Sequence, residues 1–142
     1  MKKKKEILIY EKDKEVLKFL RSFFTGKDDY SASFTKRCKE AIGMRRIVEK
    51  GPAALIICPD GLQHVRPSDV ECPVITMIAS GNTVGGIRSV VKFGVEYYLL
   101  SPFYKEDLEY KLKVAIGKKS WLENLYRERK DLEALIELTY LI

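Results

Sequence analysis

Residues 73–103, PVITMIASGNTVGGIRSVVKFGVEYYLLSPF, constrain the fold more than any other stretch. They open with an apolar run, residues 74–79, whose length and β-branched content fit a strand buried on both faces. Ser80, Gly81 and Asn82 break the run. Val84, Ile87, Val90 and Val91 then return to one side of a helix, and Gly94 supplies a left-handed stop. A second apolar run, residues 95–100, ends at Ser101-Pro102-Phe103, where proline cannot continue a ladder. Strand, helix and strand in about thirty residues make a βαβ unit with parallel strands and a right-handed crossover.

The rest of the chain supplies neighbours for this unit. Residues 6–10 read as a strand, and Asp13 is placed to cap a helix whose apolar face is Val16, Leu17, Phe19, Leu20, Phe23 and Phe24. Thr25-Gly26 ends that helix. Residues 30–34 form a weaker strand, after which Thr35 can cap a helix reaching Gly51. Residues 53–58, AALIIC, are apolar throughout and belong at the centre of a sheet, with Pro59-Asp60-Gly61 as a turn at their carboxyl end. Residues 62–71 predict a short, irregular helix. Five strands alternating with helices predict an α/β fold, a doubly wound parallel sheet with helices on both faces.

Composition excludes several classes of function. A chain of 142 residues accommodates one domain and an appendage. It contains no apolar run long enough to span a bilayer, and its N-terminus lacks a signal peptide, so a cytoplasmic protein without a membrane partner is expected. Cys38, Cys58 and Cys72 match neither a disulfide framework nor a zinc knuckle. The net charge is +6, but four of those charges are the opening Lys2 to Lys5, and +2 remains without them. Lys36, Lys39, Arg46 and Lys50 form a basic stripe opposite Ala41, Met44 and Val48. An amphipathic helix needs a wet face, and no aromatic interleaving accompanies the stripe, so nucleic acid is not an expected partner.

Catalytic motifs fail in turn. Gly81 to Gly86 has the gap of a phosphate-binding P-loop, but Ile87-Arg88 follow where Lys and Ser or Thr are required. After Cys58 the sixth residue is His64, and Arg66 comes too late for a phosphatase loop. The lone His64 has no second histidine to make a metal site. The chain reads as a non-enzyme with no metal and no cofactor.

The segments KEILIYEKD, GPAALIICPDG, CPVITMIASG and VEYYLLSPF resemble the response-regulator receiver domain of two-component phosphorelay signalling, over residues 5–117. The resemblance implies a flavodoxin-like sheet of order 2-1-3-4-5, with the functional pocket at the carboxyl ends of the strands. It also implies phosphoryl transfer onto an aspartate, with two acids holding Mg²⁺ and a lysine and a hydroxyl holding the new oxygens. In this sequence Cys58 stands at the phosphoacceptor position. Glu11 and Lys12 replace the acidic pair, Ile78 replaces the hydroxyl and Ser101 replaces the lysine. Tyr98 matches the family's switch tyrosine. The expectation is a degenerate pseudo-receiver whose pocket is closed by a Glu11–Lys12 ion pair. Cys58 reads as a small apolar plug or as a redox-sensing thiol, and Asp60 is the remaining candidate for a non-standard acceptor.

The C-terminal stretch has its own pattern. Leu108, Leu112, Ala115 and Ile116 predict a helix over residues 105–116. At Gly117 the chain either stops and restarts, with Ser120 and Glu123 as a capping box, or continues as one helix at a cost of about 1 kcal/mol for the glycine. Within residues 118–142, Leu122, Leu125, Leu132 and Ile136 step by multiples close to a helical repeat, and Leu135, Leu138 and Ile142 widen the stripe. Such a stripe wants a partner. It predicts a helical extension that is a dimerising coiled coil or a linker to a downstream domain, with a sensor kinase or output domain as signalling partner. The uncapped ending Tyr140-Leu141-Ile142 fits a protein that continues.

Overall fold

The computed structural model describes residues 4–35 and 51–141, with side chains as far as residue 129 apart from 119, 120, 123 and 126. The basic stripe of Lys36, Lys39, Arg46 and Lys50 and the thiol of Cys38 lie outside the described residues. The chain order is β1 (Lys5–Tyr10), α1 (Lys14–Phe24), β2 (Tyr30–Thr35), β3 (Ala54–Ile57), β4 (Val74–Ile78), α2 (Thr83–Phe93), β5 (Tyr97–Leu100) and α3 (Lys105–Leu141). The strands form one parallel sheet, as the apolar runs predict, in the order β2-β1-β3-β4-β5 that the family resemblance implies.

Strand periodicity divides the interior into two cores, because successive side chains leave a strand on opposite faces. Ile7, Ile9, Ala54, Ile56, Ile75 and Met77 meet α1 and the first turns of α3 through Val16, Leu20, Phe23, Leu108 and Leu112. On the other face Leu8, Tyr10, Leu55, Ile57, Val74 and Ile78 meet α2 and the 59–72 segment through Val90, Leu62 and Val65. β3 and β4 are buried at every residue, which is why they read as continuous apolar runs.

Local chemistry places the helix ends. Asp13 Oδ1 accepts the amides of Glu15 at 2.8 Å and Val16 at 3.3 Å, capping α1. Gly94 closes α2 at φ 67°, a left-handed conformation that glycine adopts without a Cβ penalty. The turn expected at Pro59-Asp60-Gly61 is a short 3-10 turn, Pro59–Gln63, and residues 62–71, expected as one irregular helix, hold only the end of it and a second 3-10 turn, Pro67–Asp69. Each begins at a proline, which has no amide hydrogen to continue a preceding helix.

α3 is one helix of 37 residues, so of the two alternatives at Gly117 the continuous one holds. A single glycine costs too little to stop a helix that is anchored on both sides of it. Leu108, Leu112 and Ala115 are buried before it, and Lys118 after it bonds to Glu96 at the start of β5. Contact with the body extends to Leu122, which lines a groove of about 360 Å³ with Cys72, Tyr97 and Lys118.

The tightest approach between α2 and the sheet is at Gly86, where a Cβ would come within 2.5 Å of Ile78 Cγ2. Ile78 is β-branched and fully buried, so it has little room to yield. Gly86→Ala is expected to destabilise the chain by about 1–3 kcal/mol despite the better helix propensity of alanine. Gly117→Ala, with nothing within 4 Å of the new methyl, is expected to stabilise it by about 1 kcal/mol. Chemical denaturation of the two variants checks both signs.

Candidate functional site

β1, β3 and β4 deliver side chains to a cavity of about 480 Å³ beyond their carboxyl ends. Its lining includes Glu11, Lys12 and Asp13 from the loop after β1, Cys58, Pro59 and Asp60 from the end of β3, and Met77, Ala79, Gly81 and Asn82 around the end of β4. Alternation along the strands selects this set. Met77 and Ala79 continue the α1 side of the sheet, and Glu11 and Cys58 fall in the same phase as Ile9 and Ile56.

The same rule removes Ile78 from the cavity. One residue out of phase with Met77 and Ala79, its side chain lies in the opposite core, against Gly86 of α2. Only its carbonyl takes part at the strand end, accepting the Ser101 amide at 3.0 Å. Tyr98 likewise alternates with Tyr97 and Leu99, which pack in the α1 core, and it is half-exposed on the edge strand. The expected convergence of five positions is therefore met by Glu11, Lys12 and Cys58, while Ile78 faces away and Ser101 lies outside the cavity lining.

Ser101 is engaged by Glu15, which no sequence motif marks. Its Oγ donates to Glu15 Oε1 at 2.6 Å. Glu15 Oε2 accepts the Ser80 hydroxyl at 3.0 Å and the Ser80 amide at 3.4 Å. One carboxylate thus ties the first turn of α1 to the segments after β4 and β5. The Ser101 and Ser80 hydrogen bonds hold the Glu15 carboxyl below its usual range. Glu15, Ser80 and Ser101 are 65 and 86 residues apart in sequence, so no local spacing announces the bridge.

Glu11 is buried, and its Oε1 accepts the backbone amides of Lys12 and Asp13, both at 3.1 Å. Its Oε2 is buried without a hydrogen-bond donor. Lys12, by contrast, is exposed, and what Glu11 receives from it is the amide rather than the ammonium. The anticipated Glu11–Lys12 ion pair is absent among the described residues. Adjacent residues on an extended segment point to opposite sides, which separates the two side chains. Burial pushes the Glu11 carboxyl up to about 7, against the lowering effect of the Asp13 and Lys12 amides, and the nearby Cys58 adds to the rise.

The divalent ion implied by the family resemblance does not fit this donor set. Mg²⁺ requires near-octahedral oxygen ligands. Among the described residues no group of three His, Cys, Asp or Glu side chains is placed to hold a metal, and Lys12 stands where a second acid would be needed. Leu122 and Leu125 are exposed on α3. Leu132 and Ile136 follow on the same helix, and their side chains lie outside the described residues.

The pH dependence of stability follows from Glu11. Its carboxyl rises from 4.5 to about 7 on folding, so the folded state holds the proton more tightly. That contribution is fully present below pH 4.5, falls as pH rises, and is gone above about pH 7. At about 1.4 kcal/mol per pH unit, the loss across the window is at most about 3–4 kcal/mol. Glu11→Gln, which cannot ionise, is expected to flatten the profile between pH 4.5 and 7 and to be the more stable protein at pH 8, as thermal melts across pH will measure.

No protein-family model and no curated protein matches the chain. Solved structures do. NtrX from Brucella abortus superposes at a TM-score of 0.64 with 15% identity, over 92% of this chain and 30% of that one. A response regulator receiver domain protein from Clostridium thermocellum gives 0.63 and 18%, over 83% of this chain and 98% of that one. A response regulator receiver modulated diguanylate cyclase from Pelobacter carbinolicus gives 0.58 and 21%, over 84% of this chain and 98% of that one. The chain spans less than a third of NtrX and nearly the whole of the other two. No helix among the described residues is long and apolar enough to cross a membrane. The sheet order and these superpositions together establish that the chain has the fold of a response-regulator receiver domain.

Proposed function

We propose that the chain is a degenerate receiver, a cytoplasmic, non-enzymatic signalling module that acts through protein–protein contact and self-association without aspartate phosphorylation. The observation that carries this reading is the chemistry at the strand ends. A buried thiol, Cys58, follows β3, and Ser101 follows β5 with its hydroxyl committed to Glu15. The Glu15 carboxylate brings a negative charge to the segments after β4 and β5, where a phosphoryl group would meet repulsion. Ser101 stands where the resemblance implies a lysine, so that position supplies no cation to offset it.

Two surfaces support a role in contacts. Val84, Ile87 and Val91 are exposed on α2, and Tyr98 and Leu100 are exposed on edge strand β5. On α3, Trp121, Leu122 and Leu125 are exposed, and the sequence continues the stripe with Leu132 and Ile136. A paired α3 buries that stripe in a homodimeric coiled coil, with residues 118–142 as the dimerising extension and link to an output domain or sensor kinase.

A second reading takes Asp60 as a non-standard phosphoacceptor, because it is exposed and lines the cavity. A thiol sensor at Cys58 has less support, since only 5% of that residue is exposed. Sedimentation of the intact chain at micromolar concentration is expected to give a dimer, and Leu125→Lys with Leu132→Lys a monomer; a monomeric parent chain would remove the proposed role of α3. Incubation with acetyl phosphate and Mg²⁺ is expected to leave the intact mass unchanged, whereas a phosphoryl adduct mapped to Asp60 would favour the second reading.

A further inference from the structure

We propose that the cavity at the carboxyl end of the sheet is a binding site for an alkylammonium group, with Glu11 as its anchor. Two independent observations meet there. The first is a half-open cleft of about 480 Å³. The second is a carboxyl that lines it, is 4% exposed, and has one oxygen with no donor. A buried polar atom left unpaired costs about 1–3 kcal/mol, so a ligand that supplies the missing donor gains from a deficit the fold has left in place.

The lining selects the kind of ligand. Glu11, Asp13 and Asp60 are acidic and Lys12 alone is basic, so a cation is favoured over an anion. A divalent metal lacks its ligands, since no three suitable side chains converge among the described residues. A primary ammonium needs fewer partners, carries its own N–H donors and brings a short apolar chain. Pro59, Met77 and Ala79 provide apolar wall for that chain. Glu11 Oε2 is covered by protein, and rotation about the soft terminal torsion of the glutamate turns the carboxyl toward the cavity. Cys58 beside it adds bulk without a competing positive charge. Lys12 does not fill the role itself, because its side chain is exposed.

The test is a titration of the full chain at pH 8 with n-butylammonium chloride, followed by the amide resonances of Lys12 and Asp13, whose N–H groups donate to Glu11 Oε1. Tetramethylammonium chloride at equal ionic strength has the charge without N–H donors, and MgCl₂ represents a metal. Saturable shifts at Lys12 and Asp13 are expected with n-butylammonium alone, in the millimolar range, with at least a tenfold loss of affinity in Glu11→Gln. Asp60→Asn, on the exposed rim, is expected to weaken binding by a smaller factor and serves if Glu11→Gln does not fold. An N-acetyl-lysine N-methylamide arm separates sources: saturation there points to a lysine of a protein partner, and saturation with n-butylammonium only points to a free amine. Equal responses to tetramethylammonium, saturable binding of Mg²⁺ at lower concentration, or an unchanged titration in both variants would each overturn the proposal.

Discussion

A strand covered by helices on both sides has no solvent face to which a misplaced side chain can retreat. That constraint governs this molecule. Every residue of β3 and β4 is buried, and fully burying a side chain such as leucine or isoleucine is worth about 1.5–3 kcal/mol. Moving either strand by one residue would exchange the contents of two cores of different shape. The phase of the strands is thus fixed by packing far from the cavity, and the cavity inherits its composition. Glu11, Cys58 and Ala79 share a side because Ile9, Ile56 and Met77 do.

Within that frame two glutamates four residues apart behave in opposite ways. Glu11 is enclosed and satisfied on one oxygen only, so protonation is favoured. Glu15 stands one helical turn on, in solvent, with hydroxyl donors on both oxygens, so ionisation is favoured. The contrast follows from position alone. Asp13 caps the helix between them, fixing where the loop ends and the first turn begins, and so which carboxyl goes inward.

The parallel sheet was legible because uninterrupted apolar runs, proline and glycine punctuation and a βαβ spacing all pointed the same way, whereas its strand order came from the family resemblance. The Asp13 cap and the Gly94 stop were legible for the same reason. At the site, matching positions to a family named the right segments without giving the direction of each side chain. Ile78 shows the difference, since its assignment to the pocket needed the phase of β4 relative to α2, which Gly86 reveals only in three dimensions. Glu15 was unreadable because its partners belong to remote segments and its local surroundings are those of any acidic first turn. The two 3-10 turns and the uninterrupted α3 were decided by prolines and by anchoring contacts whose balance a linear pattern does not display.

The uninterrupted α3 also has a mechanical meaning. At 1.5 Å per residue its 37 residues make a rod about 55 Å long, gripped by the body over its first half through Leu108, Leu112, Ala115 and the Lys118–Glu96 pair. A rod held at one end turns small angular changes at the grip into larger displacements at the tip. A rotation of about ten degrees where α3 meets β5 would swing the far turns by about 5 Å, enough to take an apolar stripe in or out of register with whatever lies alongside it.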